Sequence, residues 1–123
     1  MKKLLMLVLV AVMALGVLTA CGGGGGGAAN EITVEMGTNG EWKFFPDVLT
    51  VNKGETVKVN LVNKDSAQPH SFVIPQLNAK STQIAANKTG SVTFKADKTG
   101  EFEIICDVPG HKDAGMVGKI VVK

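Results

Sequence analysis

Residues 101–122 read EFEIICDVPGHKDAGMVGKIVV. Phe102 and Ile104 alternate with Glu101 and Glu103 at the start, and an apolar run from Val117 to Val122 closes the stretch. Period-two alternation marks a strand with one buried face. Between the two strands lies Cys106-Asp107-Val108-Pro109-Gly110-His111-Lys112-Asp113-Ala114-Gly115-Met116. This Pro/Gly-rich loop carries a thiol, an imidazole and a thioether, and a loop of this size can turn its side chains toward one point.

The alternation continues outward. Ile32, Val34 and Met36 alternate with Glu31, Thr33 and Glu35. Val57, Val59 and Leu61 alternate with Thr56, Lys58 and Asn60, and Val92 and Phe94 with Thr93 and Lys95. Val48–Val51 and His70–Ile74 read as shorter strands, the second ended by Pro75. Turn signals separate the runs at Asn52-Lys53-Gly54, Asn63-Lys64-Asp65, Asn87-Lys88-Thr89-Gly90 and Asp97-Lys98-Thr99-Gly100. Short strands at this spacing predict an all-β sandwich or barrel of about seven to eight strands in a single domain. Residues 75–90 carry little periodicity and read as a loop with one helical turn.

The N-terminus has a different composition. Met1-Lys2-Lys3 precedes an apolar run from Leu4 to Leu18, then Leu18-Thr19-Ala20-Cys21. A positive head, a short apolar middle and small residues before the cut make a secretory signal rather than a spanning helix. The cysteine at the end resembles the lipobox of bacterial lipoproteins. That resemblance implies a signal peptide over 1–20, a lipid on Cys21 and a protein anchored to a bacterial membrane outside the cytoplasm. Residues 21–30 then form a lipidated, Gly-rich tether, with an unbroken glycine run from Gly22 to Gly27. Such a tether reaches about 15–20 Å. The folded domain is expected over 31–123.

Charge excludes one class of partner. The chain has no Arg, and its formal charge is +2. Removal of Lys2 and Lys3 with the signal leaves a neutral balance, so no nucleic acid partner is expected.

Cys21 and Cys106 are the two cysteines. With lipid on Cys21, Cys106 has no disulfide partner. A lone thiol in an oxidising compartment persists when it is buried or bound to metal. His70 and His111 are the only histidines. One site can therefore use every histidine and the remaining cysteine. Two imidazoles, a thiolate and a weak thioether suit copper as Cu(I) and Cu(II).

Three stretches together resemble the cupredoxins, the blue copper superfamily. They are Phe44-Phe45-Pro46-Asp47-Val48-Leu49-Thr50-Val51-Asn52-Lys53-Gly54, His70-Ser71-Phe72 and the Cys106…His111…Met116 loop. The loop spacing is most like that of auracyanin and rusticyanin. The resemblance implies a Greek-key sandwich holding one type 1 copper ion per chain. His70, Cys106 and His111 would be its strong ligands and Met116 the axial one. The Ser71 backbone amide would point at the thiolate. Electrons would pass through the His111 edge, protruding through a rim of Pro109, Gly110, Ala114 and Gly115, with Pro46 beside it.

The expected function is single-electron transfer, not catalysis, by a monomer that meets a transient redox protein such as a cytochrome or membrane oxidase. Two alternatives use the same sequence: a lipoprotein that stores, delivers or senses copper, and a metal-free interaction lipoprotein. Nitrite reductase and multicopper oxidase chemistry need more histidines than the chain has, and a binuclear copper centre needs a second cysteine in the loop. Trp42, Phe44 and Phe45 read as core or rim packing, and Asp107 and Asp113 as surface carboxylates of the loop.

Overall fold

The computed structural model describes residues 30–123. The expected signal peptide, the Cys21 lipid site and the tether up to Ala29 lie outside the described residues. Asn30, assigned to the tether, opens the first strand.

The described residues form nine strands: β1 (Asn30–Met36), β2 (Phe44–Phe45), β3 (Val48–Val51), β4 (Thr56–Asn63), β5 (Val73–Ile74), β6 (Ala79–Lys80), β7 (Thr89–Lys95), β8 (Gly100–Ile105) and β9 (Val117–Val122). They make two sheets, ordered β2-β1-β4-β7 and β3-β9-β8-β5-β6. The chain changes sheet repeatedly, and the pairs β1–β4 and β3–β9 are parallel. The architecture is the expected all-β sandwich, with one or two more strands than the periodicity implied. The reason is length. β2, β5 and β6 have two residues each, and a two-residue strand leaves no alternation to read.

Three local expectations are corrected. Within His70–Ile74 only Val73 and Ile74 join a sheet, while His70 makes a separate bridge to Ile84. Thr89 and Gly90 belong to β7, Asn63 to β4 and Gly100 to β8 rather than to turns. Residues 75–90 contain the expected single helical turn, Pro75–Leu77, and also β6 and the Ile84 bridge. Leu77 and Ile84, from this stretch of little periodicity, are both buried in the core.

The long strands alternate as their sequences require. Along β4, Val57, Val59, Leu61 and Asn63 all face inward. β1 supplies Val34 and Met36, β8 Ile104, and β9 Ile120 and Val122. Their removal from water is the dominant favourable term in folding. Phe44 and Phe72 meet edge to face at 5.7 Å between ring centres, joining the two sheets at the end that carries the Cys106 loop.

Asn63 is the one polar residue in the inward row of β4. Its side-chain amide donates to the carbonyls of Gln68 (2.9 Å) and Ile84 (2.8 Å), and its oxygen accepts the Asp65 N–H (2.9 Å). A buried amide is tolerated when its partners are complete. It also ties the 64–69 turn to the Ile84 segment.

Replacing Leu61, fully buried at the centre of β4, by Ala should cost about 3 kcal/mol through lost transfer energy and a residual cavity. Equilibrium urea unfolding of the metal-free protein measures this.

Candidate metal centre

β8 and β9 are paired up to Ile105 and Val117, and the eleven-residue loop from Cys106 to Met116 grows from that closing pair. The Cys106 N–H donates to the Met116 carbonyl at 3.4 Å, and the Met116 N–H to the His111 carbonyl at 3.0 Å. Turn bonds from His111 to Val108, Ala114 to Gly110 and Gly115 to Lys112 fold the interior. Gly110 and Gly115 adopt positive φ angles of 83° and 103°, where a side chain would strain the backbone. The loop is thereby wound so that Cys106, His111 and Met116 are all buried.

His70 approaches from the other side. Its N–H donates to the Ile84 carbonyl (3.1 Å) and its carbonyl accepts the Ile84 N–H (2.7 Å). Nε2 lies 3.0 Å from Asp65 Oδ2. Nδ1 faces His111 Nδ1 at 3.1 Å, and Cys106 Sγ lies 3.6 Å from the same His111 nitrogen. One donor atom from each of the three residues lies within 4.8 Å of the others.

The arrangement tests its own fit to a metal. Donors bonded to one ion at about 2.0–2.3 Å stand roughly 3–4 Å apart, which the 3.1 Å His70–His111 and 3.6 Å Cys106–His111 separations match. Two Nδ1 lone pairs 3.1 Å apart repel unless a proton or a cation lies between them. Cys106 is a buried free thiol, and Met116 supplies a thioether from the same loop. The two imidazoles and the sulfur fit a type 1 copper site.

The residues around the donors are equally specific. The Ser71 N–H donates to Cys106 Sγ at 3.4 Å, as the resemblance implied. The Ser71 hydroxyl donates to Asp107 Oδ1 and accepts the Asp107 N–H at 2.9 Å. Asp107 was read as a surface carboxylate. It is exposed, and its two bonds to Ser71 also latch the residue after Cys106 to the residue after His70. Lys80 pairs with its second oxygen at 3.4 Å.

Trp42 stacks on His111, with ring centres 4.1 Å apart and planes 22° from parallel. His111 is only 2% exposed. This corrects the expectation of a protruding His111 edge. Pro109, Gly110, Ala114 and Gly115 are exposed beside it, but Trp42 covers the ring. Asp65 and Gly37 carry no site signal in the sequence, and Trp42, expected as core or rim packing, stacks on a donor ring. Spacing could not reveal them, because each comes from a segment whose approach is set by the sandwich.

Two ionisation equilibria follow from burial. Burial lowers the pKa of His111 below the ordinary imidazole value, and the neighbouring His70 lowers it further, against a smaller opposing pull from Asp65. For Asp65 burial pushes the carboxyl up. Hydrogen bonds from Ala67 N–H, the His70 ring and Gln68 N–H outweigh it, leaving the pKa below the usual carboxylate value.

With this geometry in hand, comparison with known proteins is informative. A model of the cupredoxin-like domain matches residues 5–122. The chain belongs to the cupredoxin family. Among its relatives, auracyanin-A of Chloroflexus aurantiacus is 31% identical over 98% of this chain and 96% of its own. The copper-resistant cuproprotein CopI of Rubrivivax gelatinosus is 31% identical, over 85% of this chain and 74% of its own. The solved structure of auracyanin A, described as a blue copper protein, superposes with a TM-score of 0.68 at 28% identity. It covers 76% of this chain and 98% of the auracyanin chain. Family membership and the donor set agree on one copper ion as cofactor.

A buried His111 makes this cupredoxin acid-sensitive when metal-free. The unfolded imidazole titrates near 6.5 and the folded one lower, so the unfolded state binds more protons between the two values. The stability His111 contributes is complete above 6.5 and is lost as pH falls toward the folded value. The melting temperature of metal-free protein should fall as pH is lowered from about 7.5 to about 5, and fall less in His111→Gln. Equal slopes would contradict this account.

Proposed function

We propose that this cupredoxin is a membrane-anchored carrier of single electrons outside the cytoplasm. The observation that carries the electron-transfer reading is the buried convergence of His70, Cys106 and His111, with one donor atom each within 4.8 Å. When bound, copper supplies a one-electron centre stable as both Cu(I) and Cu(II). The protein's part is to hold the donors still. His70 is fixed through its backbone bridge and its second ring nitrogen, Cys106 by the strand pair below it and the Ser71 N–H, and His111 by the loop turns and Trp42. Donors held this way have little room to rearrange when charge changes. Burial excludes water that would otherwise compete for the site.

Electron exchange uses the loop end of the sandwich. Trp42 is the aromatic that both touches His111 and is partly exposed. The rim of Pro109, Gly110, Ala114 and Gly115 is uncharged and exposed. Half-exposed Phe45 and Val117 extend it, around a cleft also lined by Pro46, Gly115 and the charged Lys43 and Asp47. A small apolar rim suits brief contact with a redox protein such as a cytochrome or a membrane oxidase. The anchor rests on Leu18-Thr19-Ala20-Cys21 and the glycine tether. The protein acts as a monomer whose head samples the volume near the membrane.

A second reading, copper storage or delivery, is favoured by the similarity to a copper-resistance cuproprotein. Delivery needs accessible ligand exchange, whereas His70, Cys106, His111 and Met116 are at most 2% exposed. The carrier reading therefore stands first.

Titration of the full chain in mild detergent with Cu(II) should give an intense thiolate charge-transfer band. The band should saturate at about one ion per chain, bleach on reduction and be absent in Cys106→Ser. A carrier keeps its copper against a chelator while exchanging electrons with a cytochrome; a delivery protein surrenders it. Trp42 is the sole tryptophan, and its emission should quench in step with the band. Unchanged emission would place the copper elsewhere.

A further inference from the structure

We propose that Asp65 is the counter-ion of the metal centre: its carboxylate holds His70 in the tautomer that leaves Nδ1 free for the ion, and its negative charge favours the divalent over the monovalent state. This rests on the copper-carrier reading and adds what sets the balance between its two oxidation states.

The orientation follows from the hydrogen bonds. Asp65 Oδ1 is committed to the N–H groups of Ala67 (2.8 Å) and Gln68 (3.0 Å). Oδ2 faces His70 Nε2 at 3.0 Å. An ionised carboxylate only accepts, so Nε2 must carry the ring proton and Nδ1 must be the lone pair. A metal-ligating histidine needs such a partner to fix its tautomer and raise its basicity.

The placement is enforced from two sides. Asn63 binds the Asp65 N–H, the Gln68 carbonyl and the Ile84 carbonyl, so the turn that carries Asp65 and the segment that holds His70 share one clamp. Just past the end of β1, the backbone of Gly37 lies directly over the pair. A Cβ there would stand 2.5 Å from Asp65 Cβ and 2.9 Å from His70 Nε2. Only glycine allows this approach, at a φ of 70°. The contact leaves no room for water between the strand and the ion pair.

Among the described residues, the only ion-pair partner of Asp65 is His70. Asp65 is 6% exposed and His70 is fully buried. A backbone carbonyl at the same place would select the same tautomer with no net charge. The carboxylate adds one. Together with the Cys106 thiolate it balances a divalent ion and leaves one uncompensated negative charge beside a monovalent ion. In a site with little solvent that difference is weakly screened.

The test uses the full chain in detergent. In metal-free wild-type protein, ring ¹⁵N NMR should find His70 protonated at Nε2. Asp65→Asn removes the charge whichever way its amide turns. Its Cu(II)/Cu(I) affinity ratio should fall about tenfold or more, raising the reduction potential by about 59 mV per tenfold. Zn(II), which has no redox chemistry, should also bind more weakly. A wild-type His70 protonated at Nδ1 would overturn the proposal, as would an unchanged affinity ratio in folded Asp65→Asn. Should that variant not fold, Asp65→Ser takes its place under the same criteria, because its hydroxyl still accepts from Ala67 and Gln68. Absence of the thiolate band in wild type would defeat the carrier reading alone. The His70 tautomer and the Zn(II) affinity would still decide the role of Asp65.

Discussion

A ring nitrogen can be aimed at a neighbour only when the ring's other nitrogen and its backbone are both held. His70 meets this condition outside any regular strand, through the paired bonds to Ile84 and the contact with Asp65. The rest of the centre is arranged around that fixed ring. The loop from Cys106 to Met116 is long enough to adopt many shapes, and His70 with Ser71 defines the one in which its donors find partners. The Ser71 N–H meets the sulfur and the Ser71 hydroxyl meets Asp107. Met36 at the end of β1 and Gly37 after it complete the enclosure, with the Met36 carbonyl accepting the Lys64 N–H at 2.8 Å.

Enclosing so many polar groups is costly unless each finds a partner. Asn63, Asp65, His70, Ser71, Ser81 and His111 are all buried at this end, and no buried side-chain nitrogen or oxygen among the described residues lacks a hydrogen-bond partner. The two facing Nδ1 positions meet this condition by sharing a proton, which a cation replaces on binding, so occupancy and stability are linked. The apolar middle of the sandwich, from Val57 to Leu61 on β4 and from Ile104 to Ile120 across β8 and β9, carries the fold while the polar end serves the site.

How much of this was legible in the chain depends on how each contact is encoded. Cys106, His111 and Met116 could be read because they share one loop, and His70 because it is one of two histidines. The long strands were legible from alternation. Asp65 was not, because Asn63-Lys64-Asp65 has the composition of an ordinary turn; only the inward register of β4 turns Asn63 toward the core and brings Asp65 beneath His70. Gly37 carries no signal until the separation between β1 and the 63–70 segment is known. Trp42 lies far from His111 in sequence, and its stacking depends on how the segment before β2 crosses the end of the sandwich. Contacts within one segment are written in spacing, whereas contacts between sheets are written in packing.

The hairpin that ends at Ile105 and Val117 has a further consequence. Three of the four donors sit on one insert, and the strands beneath it are paired without its help. The insert is therefore a cassette. Lineages descended from such a chain can lengthen it, shorten it or exchange its residues and so retune or repurpose the metal site, while the strand pairing of the sandwich beneath it is kept. His70 and its supports set the limit on that freedom, since any new insert must still close against the same ring.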